Sequence, residues 1–425
     1  MRKPFFSWFL GGLFVVLAPA GLRMLTWRSH QIDVDDGMAQ AGDVLFTHEW
    51  KVNDPLSAGG DGLGPVFNEN SCVACHNLGG KGGAGGLAFN VTTYTVRPVN
   101  GVGETSEGVV HSRAIEAKFQ ESLGLVSPNL PPIARPNLNQ LVALQGDSKH
   151  CVPVPTGIHI SQRNTPALFG AKLIDEITDR EIIAHERTQR IAWSLASSDE
   201  DKFPVGRASR LANGKVGKFG WKAQTASLSD FVQAACANEL GLGNPGQAQP
   251  KSMREPTYKS PGFDLTLDQC DQLTAFVASL PKPVERLQDS PNAQYDAASG
   301  KNLFSKIGCA DCHTPDLGSA KGLFSDLLLH RMGRELVGGG SYNEAPIPVP
   351  NAPSTEGPSP GEWRTPPLWG VADSAPYLHD GRAPTLEVAI QMHGGQGARS
   401  ASKFADLDPS AKVQLVAFLK TLRAP

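Results

Sequence analysis

Two copies of one pattern, Cys72-Val73-Ala74-Cys75-His76 and Cys309-Ala310-Asp311-Cys312-His313, constrain this chain more than any other feature in it. Both read C-x-x-C-H, the attachment site of a c-type haem. The chemistry dictates the spacing. Two thiols add across the haem vinyl groups, and the adjacent His turns back to bind the iron. At this Cys and His content, chance would supply on the order of a few thousandths of one match. The competing readings are redox C-x-x-C motifs or half-sites for zinc. Both motifs carry the trailing His, and no further C-x-x-C pairs with either. The chain is therefore expected to fold around two covalently bound haem c groups. One sits on Cys72, Cys75 and His76, the other on Cys309, Cys312 and His313.

Haem attachment of this kind takes place outside the cytoplasm in Gram-negative bacteria, and the N-terminus agrees. Arg2 and Lys3 precede a mostly apolar run from Phe5 to Ala20, closed by the A-x-A signal Ala18-Pro19-Ala20. Residues 1–20 read as a signal peptide for export to the periplasm. The run is short for a membrane span, so cleavage is the preferred reading; an uncleaved membrane anchor is the alternative. Export permits disulfides. Cys151, Cys236 and Cys270 remain after the haem thiols, an odd number. Cys236–Cys270 is the preferred pair, against three small buried thiols. The formal net charge of −3 gives no footprint for a nucleic-acid partner.

The chain of 425 residues repeats itself. Ala41-Gly42-Asp43-Val44-Leu45-Phe46 resembles Ser299-Gly300-Lys301-Asn302-Leu303-Phe304, and each precedes a haem motif. Asn164-Thr165-Pro166-Ala167-Leu168-Phe169-Gly170 resembles Arg364-Thr365-Pro366-Pro367-Leu368-Trp369-Gly370, and each follows one. Residues 264–280 resemble 406–422. The expected fold is mainly α: two cytochrome-c-like helical domains, 36–285 and 286–425, each holding one haem. Thr266 and Gln269 form a capping box ahead of Leu273, Phe276, Val277 and Leu280. Asp408 and Pro409 open a second helix bearing Leu415, Phe418, Leu419 and Leu422. With 45 Gly and 33 Pro the connections should be long loops, notably 77–86 and 338–362.

The sixth iron position separates electron transfer from substrate chemistry. For the second haem the candidate is His393, at the end of a helix that Thr385 caps and Gly394-Gly395 stop. Met392 beside it is the alternative, because Met/His ligation is the usual high-potential choice. His330 and His379 read first as core or supporting residues. For the first haem no ligand helix stands out. His185, His111 and His159 are alternatives to an open or weakly ligated iron.

Several segments together carry a family resemblance. They are Trp363 to Gly370, Tyr377 to Glu387, His393-Gly394-Gly395, Gly64-Pro65-Val66-Phe67-Asn68, Phe219-Gly220-Trp221-Lys222-Ala223 and Asp326 to His330 with Met332-Gly333. Over about residues 40–422 the chain resembles the bacterial dihaem c-type oxidoreductases. These peroxidase-like proteins, also labelled "thiol oxidoreductase", are distantly similar to dihaem cytochrome c peroxidases. That label finds no support here, since both C-x-x-C motifs are taken by haem. In the peroxidases and in the dihaem enzymes that mature a protein-derived quinone, a Met or Tyr stands at the position of His393. A His there implies a bis-His, lower-potential centre and departs from the peroxidase pattern.

The resemblance implies an oxidoreductase that passes electrons from the C-terminal haem to a reactive N-terminal haem. A small redox protein or cytochrome would supply them, and a small oxidant such as hydrogen peroxide would take them. Trp221 is a candidate relay, against a packed core Trp. Related peroxidases use a Gln and a Glu near the first haem, which have no residue-by-residue match here; Glu176, Glu181 and Glu186 lie in the right half, on what reads as a solvated helix face. They also often hold Ca2+ between their domains. The rival functions are a dihaem electron carrier without substrate chemistry, and oxidation of a protein or organic substrate.

Overall fold

The internal repeat of the sequence becomes a repeat in space. The computed structural model describes residues 35–97, 106–137, 140, 156–193, 203–287, 289–338 and 358–425. The export segment, Cys151 and most of 338–362 lie outside these residues. The helices that frame the candidate site are α1 (Asp36–Thr47), α2 (Asp179–Trp193), α3 (Leu228–Leu240), α4 (Leu267–Ser279), α5 (Pro291–Lys306), α6 (Leu386–Gln391), α7 (Ala398–Ala405) and α8 (Pro409–Leu419).

Local chemistry starts and stops them as the residue pattern requires. The Thr266–Gln269 capping box closes on itself at α4. Asp408 accepts from the Ala411 N–H at α8, and Pro291 and Pro409 sit where a missing N–H costs nothing. α4 stops at Ser279 and α8 at Leu419. Leu422, expected on the helix face, instead pairs with Glu285 in a two-residue ladder.

Two helix crossings carry the repeat. α1 packs on α4, and α5 packs on α8. At the first crossing a Cβ on Gly42 would lie 1.9 Å from the Gln272 carbonyl oxygen; at the second, one on Gly300 would lie 1.9 Å from that of Gln414. Only a residue without a side chain lets the backbones approach this closely. The aromatic neighbours repeat too. Phe46 lies 4.8 Å from Phe276 and 6.2 Å from His76, while Phe304 lies 5.4 Å from Phe418 and 6.4 Å from His313. Around the second crossing Phe404, Leu415 and Phe418 are fully buried. Asp33–Pro425 cluster as one compact unit.

The mainly helical expectation omitted a sheet. β1 (Val91–Val96), β2 (Ser106–Val110) and β3 (Ile158–Arg163) form an antiparallel sheet with β1 in the centre. The run Val91-Thr92-Thr93-Tyr94-Thr95-Val96 is rich in β-branched side chains, which suit a pleated surface. β4 (Leu329–Arg331) and β5 (Glu362–Arg364) pair with His330 opposite Trp363.

A buried carboxyl ties the loop before the first motif to α4. Asp264 accepts from the Gly62 N–H (2.7 Å), the Gly243 N–H (2.8 Å) and the Ser57 hydroxyl (3.0 Å). Burial nevertheless pushes it up to about 6. A folded-state value above the unfolded one gives stability that is present below about pH 4 and lost as pH rises through about 6. The unfolding free energy of the wild type relative to Asp264→Asn is expected to fall by about 2–3 kcal/mol between those limits. Urea melts of the two proteins across pH check this; parallel curves would refute it.

Candidate haem sites

Each C-x-x-C-H motif opens onto a cavity. Cys72–Cys75 form a single helical turn, and Cys309–Asp311 a 3-10 turn entered through Gly308 at φ 99°. Cys309, Cys312, His313 and His393 line a cavity of about 520 Å3. Cys72, Cys75 and His76 line one of about 160 Å3. Asn164, Thr165, Pro166, Phe219 and Trp221 line both, and so form the wall between them. This wall is where the sequence repeat N/R-T-P and the F-G-W-K-A segment meet.

In the larger cavity two imidazoles are held facing the same space. The His313 Nδ1–H donates to the Phe324 carbonyl (3.0 Å) and the His393 Nδ1–H to the Ala389 carbonyl (2.7 Å). A carbonyl only accepts, so each Nδ1 carries the proton and each Nε2 keeps its lone pair. Burial lowers both rings below the ordinary His range, His313 to about 4. Neutral imidazoles are what a metal binds. The ring centroids stand 6.5 Å apart. One metal ion between two nitrogens, each bond about 2.0–2.1 Å, fits that gap. Met392 does not line the cavity, whereas His393 does.

Charge gives a second test of fit. Arg364 lines the larger cavity, is buried, and donates from Nε to the Gly220 carbonyl (2.8 Å). No carboxylate among the described residues bonds to it; Asp326 acts on it only from a distance, and burial still lowers it to about 10. A buried cation without a bonded anion is costly, and the propionates of a haem would supply one. The residues present fit the group.

The smaller cavity differs. His76 donates from Nδ1 to the Gly83 carbonyl (3.1 Å) and burial lowers it to about 4. Its described lining offers no second His and no Met. It offers Glu69, Gln224 and Glu239 instead, with Glu239 Oε2 accepting from Asn68 Nδ2 (2.8 Å). Gln224 directly follows the F-G-W-K-A segment, which is the one sequence signal that could have found it. Glu239 stands three turns into α3 and had none.

The other candidates fall away. Both nitrogens of His111 are used, by Glu121 (2.8 Å) and the Asn238 carbonyl (2.9 Å). His159 and His185 line neither cavity. His330 spends its nitrogens on Asp326 (2.8 Å) and Gln396 (2.9 Å), and His379 stacks on Trp363 at 3.7 Å. Glu176, Glu181 and Glu186 line neither cavity; Glu186 pairs with Arg210 (2.8 Å) and Glu181 accepts at Thr178. The expected Cys236–Cys270 disulfide is also corrected: both are free, buried thiols. Cys236 turns its side into the smaller cavity from α3, so it packs as a small apolar residue rather than a cross-link.

The family model described as "Di-haem oxidoreductase, putative peroxidase" matches residues 154–422. The chain belongs to this di-haem oxidoreductase family. Membership implies haem as the cofactor and oxidoreduction as the chemistry. The matched span contains the second motif and His393, while the first motif lies ahead of it. Cytochrome c551 peroxidase of Nitrosomonas europaea is 30% identical over 227 residues, which is 48% of this chain and 60% of that protein. The hydrazine synthase gamma subunit of Kuenenia stuttgartiensis is 30% identical over 133 residues, 25% of this chain and 38% of the relative. The chain thus spans less than two thirds of the curated relatives it matches. Among solved structures, the diheme peroxidase BthA from Burkholderia thailandensis shares 16% identity at a TM-score of 0.39, covering 91% of this chain and 86% of its own.

Proposed function

We propose that this di-haem oxidoreductase is a peroxidase-like c-type cytochrome whose two centres have different coordination. Cys72, Cys75 and His76 hold one haem, and Cys309, Cys312, His313 and His393 hold the other. The observation that carries the reading is the inequality of the cavities, two facing imidazoles in one and a single imidazole sharing its lining with Gln224 and Glu239 in the other. When bound, the haems supply electron transfer on the C-terminal side and reduction of hydrogen peroxide or a similar small oxidant on the N-terminal side.

The chain's own residues do the rest. His313 and His393 close the C-terminal centre against exogenous ligands. Gln224 and Glu239, in the lining of the smaller cavity, would hold a proton for an incoming oxidant. Trp221 fills the wall between the cavities with its ring N–H donating to the Asn164 carbonyl (2.8 Å). That bond fixes the indole where a relay would have to stand. Trp221→Phe is expected to slow electron exchange between the centres and leave both optical spectra unchanged; stopped-flow traces at single-turnover peroxide check it. Equal rates would return Trp221 to a packing role. The periplasmic location, the electron donor and any Ca2+ between the halves rest on the sequence and the resemblance alone.

The direct test is an optical spectrum of the fully oxidised and half-reduced protein before and after peroxide or cyanide. One band set that shifts with ligand beside one that does not is the expected result. Two unresponsive low-spin haems would make the chain an electron carrier.

A further inference from the structure

The solvent-exposed part of the larger cavity's described lining is positive. Of its described lining residues, Ser305, Lys306 and Arg399 alone are solvent-exposed. Half-buried Lys403 and Trp193 adjoin them, with the Arg399 guanidinium 5.7 Å from the Trp193 ring. Lys306 ends α5 immediately before the second haem motif, and Arg399 and Lys403 stand one turn apart on α7. α7 lies against the motif itself, since a Cβ on Gly308 would come within 3.1 Å of Ser400 Oγ. Among the described residues none of the three cations has an ion-pair partner, although Asp311 is close enough for Lys403 and Arg399 to act on its carboxyl. Elsewhere the chain is acidic, with a formal net charge of −3.

We propose that this rim, Lys306, Arg399 and Lys403 with Trp193 beside Arg399, is the docking surface for an acidic electron-transfer protein that exchanges electrons with the C-terminal centre. This rests on the functional reading above and names the partner chemistry for it. A local positive rim on a negative molecule steers a negative partner to one edge, and such steering weakens as salt screens it. The half-buried Trp193 indole beside Arg399 supplies the apolar contact that charge alone does not. Unpaired cations on a surface are ordinary, but Lys306 and Arg399 are the only exposed charges on the described lining of the larger cavity, so the partner's field and the redox centre meet there.

Small inorganic oxidants read the local field without a known partner. One electron passes from the reduced C-terminal centre to ferricyanide, a trianion, or to tris(phenanthroline)cobalt(III), a trication, and stopped-flow absorbance follows each. The ferricyanide rate is expected to fall by about tenfold as salt rises from low to high, and the cobalt rate to rise. The triple variant Lys306→Gln, Arg399→Gln, Lys403→Gln should flatten both slopes, and Arg399→Lys alone should leave them. A ferricyanide rate that climbs with salt in the wild type would mean that net charge governs, and would overturn the proposal without any variant. An unchanged slope in the triple variant would do the same. A peroxide-inert protein with the expected slopes would sink the peroxidase reading and leave this surface standing.

Discussion

Cys309→Ala with Cys312→Ala is expected to cost the chain the fold of its C-terminal half together with one haem. The cavity those thiols line measures about 520 Å3. At about 24 cal/mol per Å3, leaving it empty costs on the order of 12 kcal/mol. That equals the whole stability of an ordinary domain, about 5–15 kcal/mol. An α5–α8 crossing wrapped around such a void should therefore open or collapse rather than persist. The corresponding pair, Cys72→Ala with Cys75→Ala, empties about 160 Å3, on the order of 4 kcal/mol, and should leave a folded but weakened protein. Mass spectrometry counts the haems, and amide exchange in α1, α4, α5 and α8 reads the two outcomes. Full protection of α5 and α8 in the first variant would show that the apo cavity closes on its own. Two haems still attached in either variant would contradict the assignment of the thiols.

His393→Ala is expected to turn one low-spin centre high-spin and shift its midpoint potential by on the order of 0.1 V, within the roughly 0.8 V that axial ligands command. The reason is geometric. The His393 ring is aimed by its bond to the Ala389 carbonyl (2.7 Å) and sits 6.5 Å from the His313 ring, where an alanine puts nothing. Added imidazole should restore the low-spin spectrum, since the space it needs is already shaped. Met392→Leu should change little, because Met392 does not line the cavity. An unchanged spectrum in His393→Ala removes this residue from the ligand set, and a large change in Met392→Leu would replace it with its neighbour.

Much of this was readable in one dimension for a definite reason. Covalent attachment, as proposed, requires fixed residue types at fixed local spacing, so the proposed tethers Cys72, Cys75, His76, Cys309, Cys312 and His313 stand out in the sequence. His393 was legible because a capped helix ends there on Gly394-Gly395. The repeat was legible because Gly42 and Gly300, and Phe46 and Phe304, occupy equivalent points of helix crossings that tolerate little else. The three-stranded sheet was missed because its strands are separated by insertions that blur the haem-domain pattern. The Cys236–Cys270 pair was misjudged because sequence counts thiols without showing which way α3 turns Cys236.

Local spacing, then, determined how many haem motifs the chain carries, which residues would tether each, and that two similar helical frames surround them. Tertiary structure alone decided which side chains share a cavity with each motif His. It brought His393 to face His313, kept His111, His159 and His185 away from the smaller cavity, and set Gln224 and Glu239 there instead. The physical reason is that the side chains lining one cavity come from residues far apart in the chain, and only the packing of helices and sheet fixes which of them share one space.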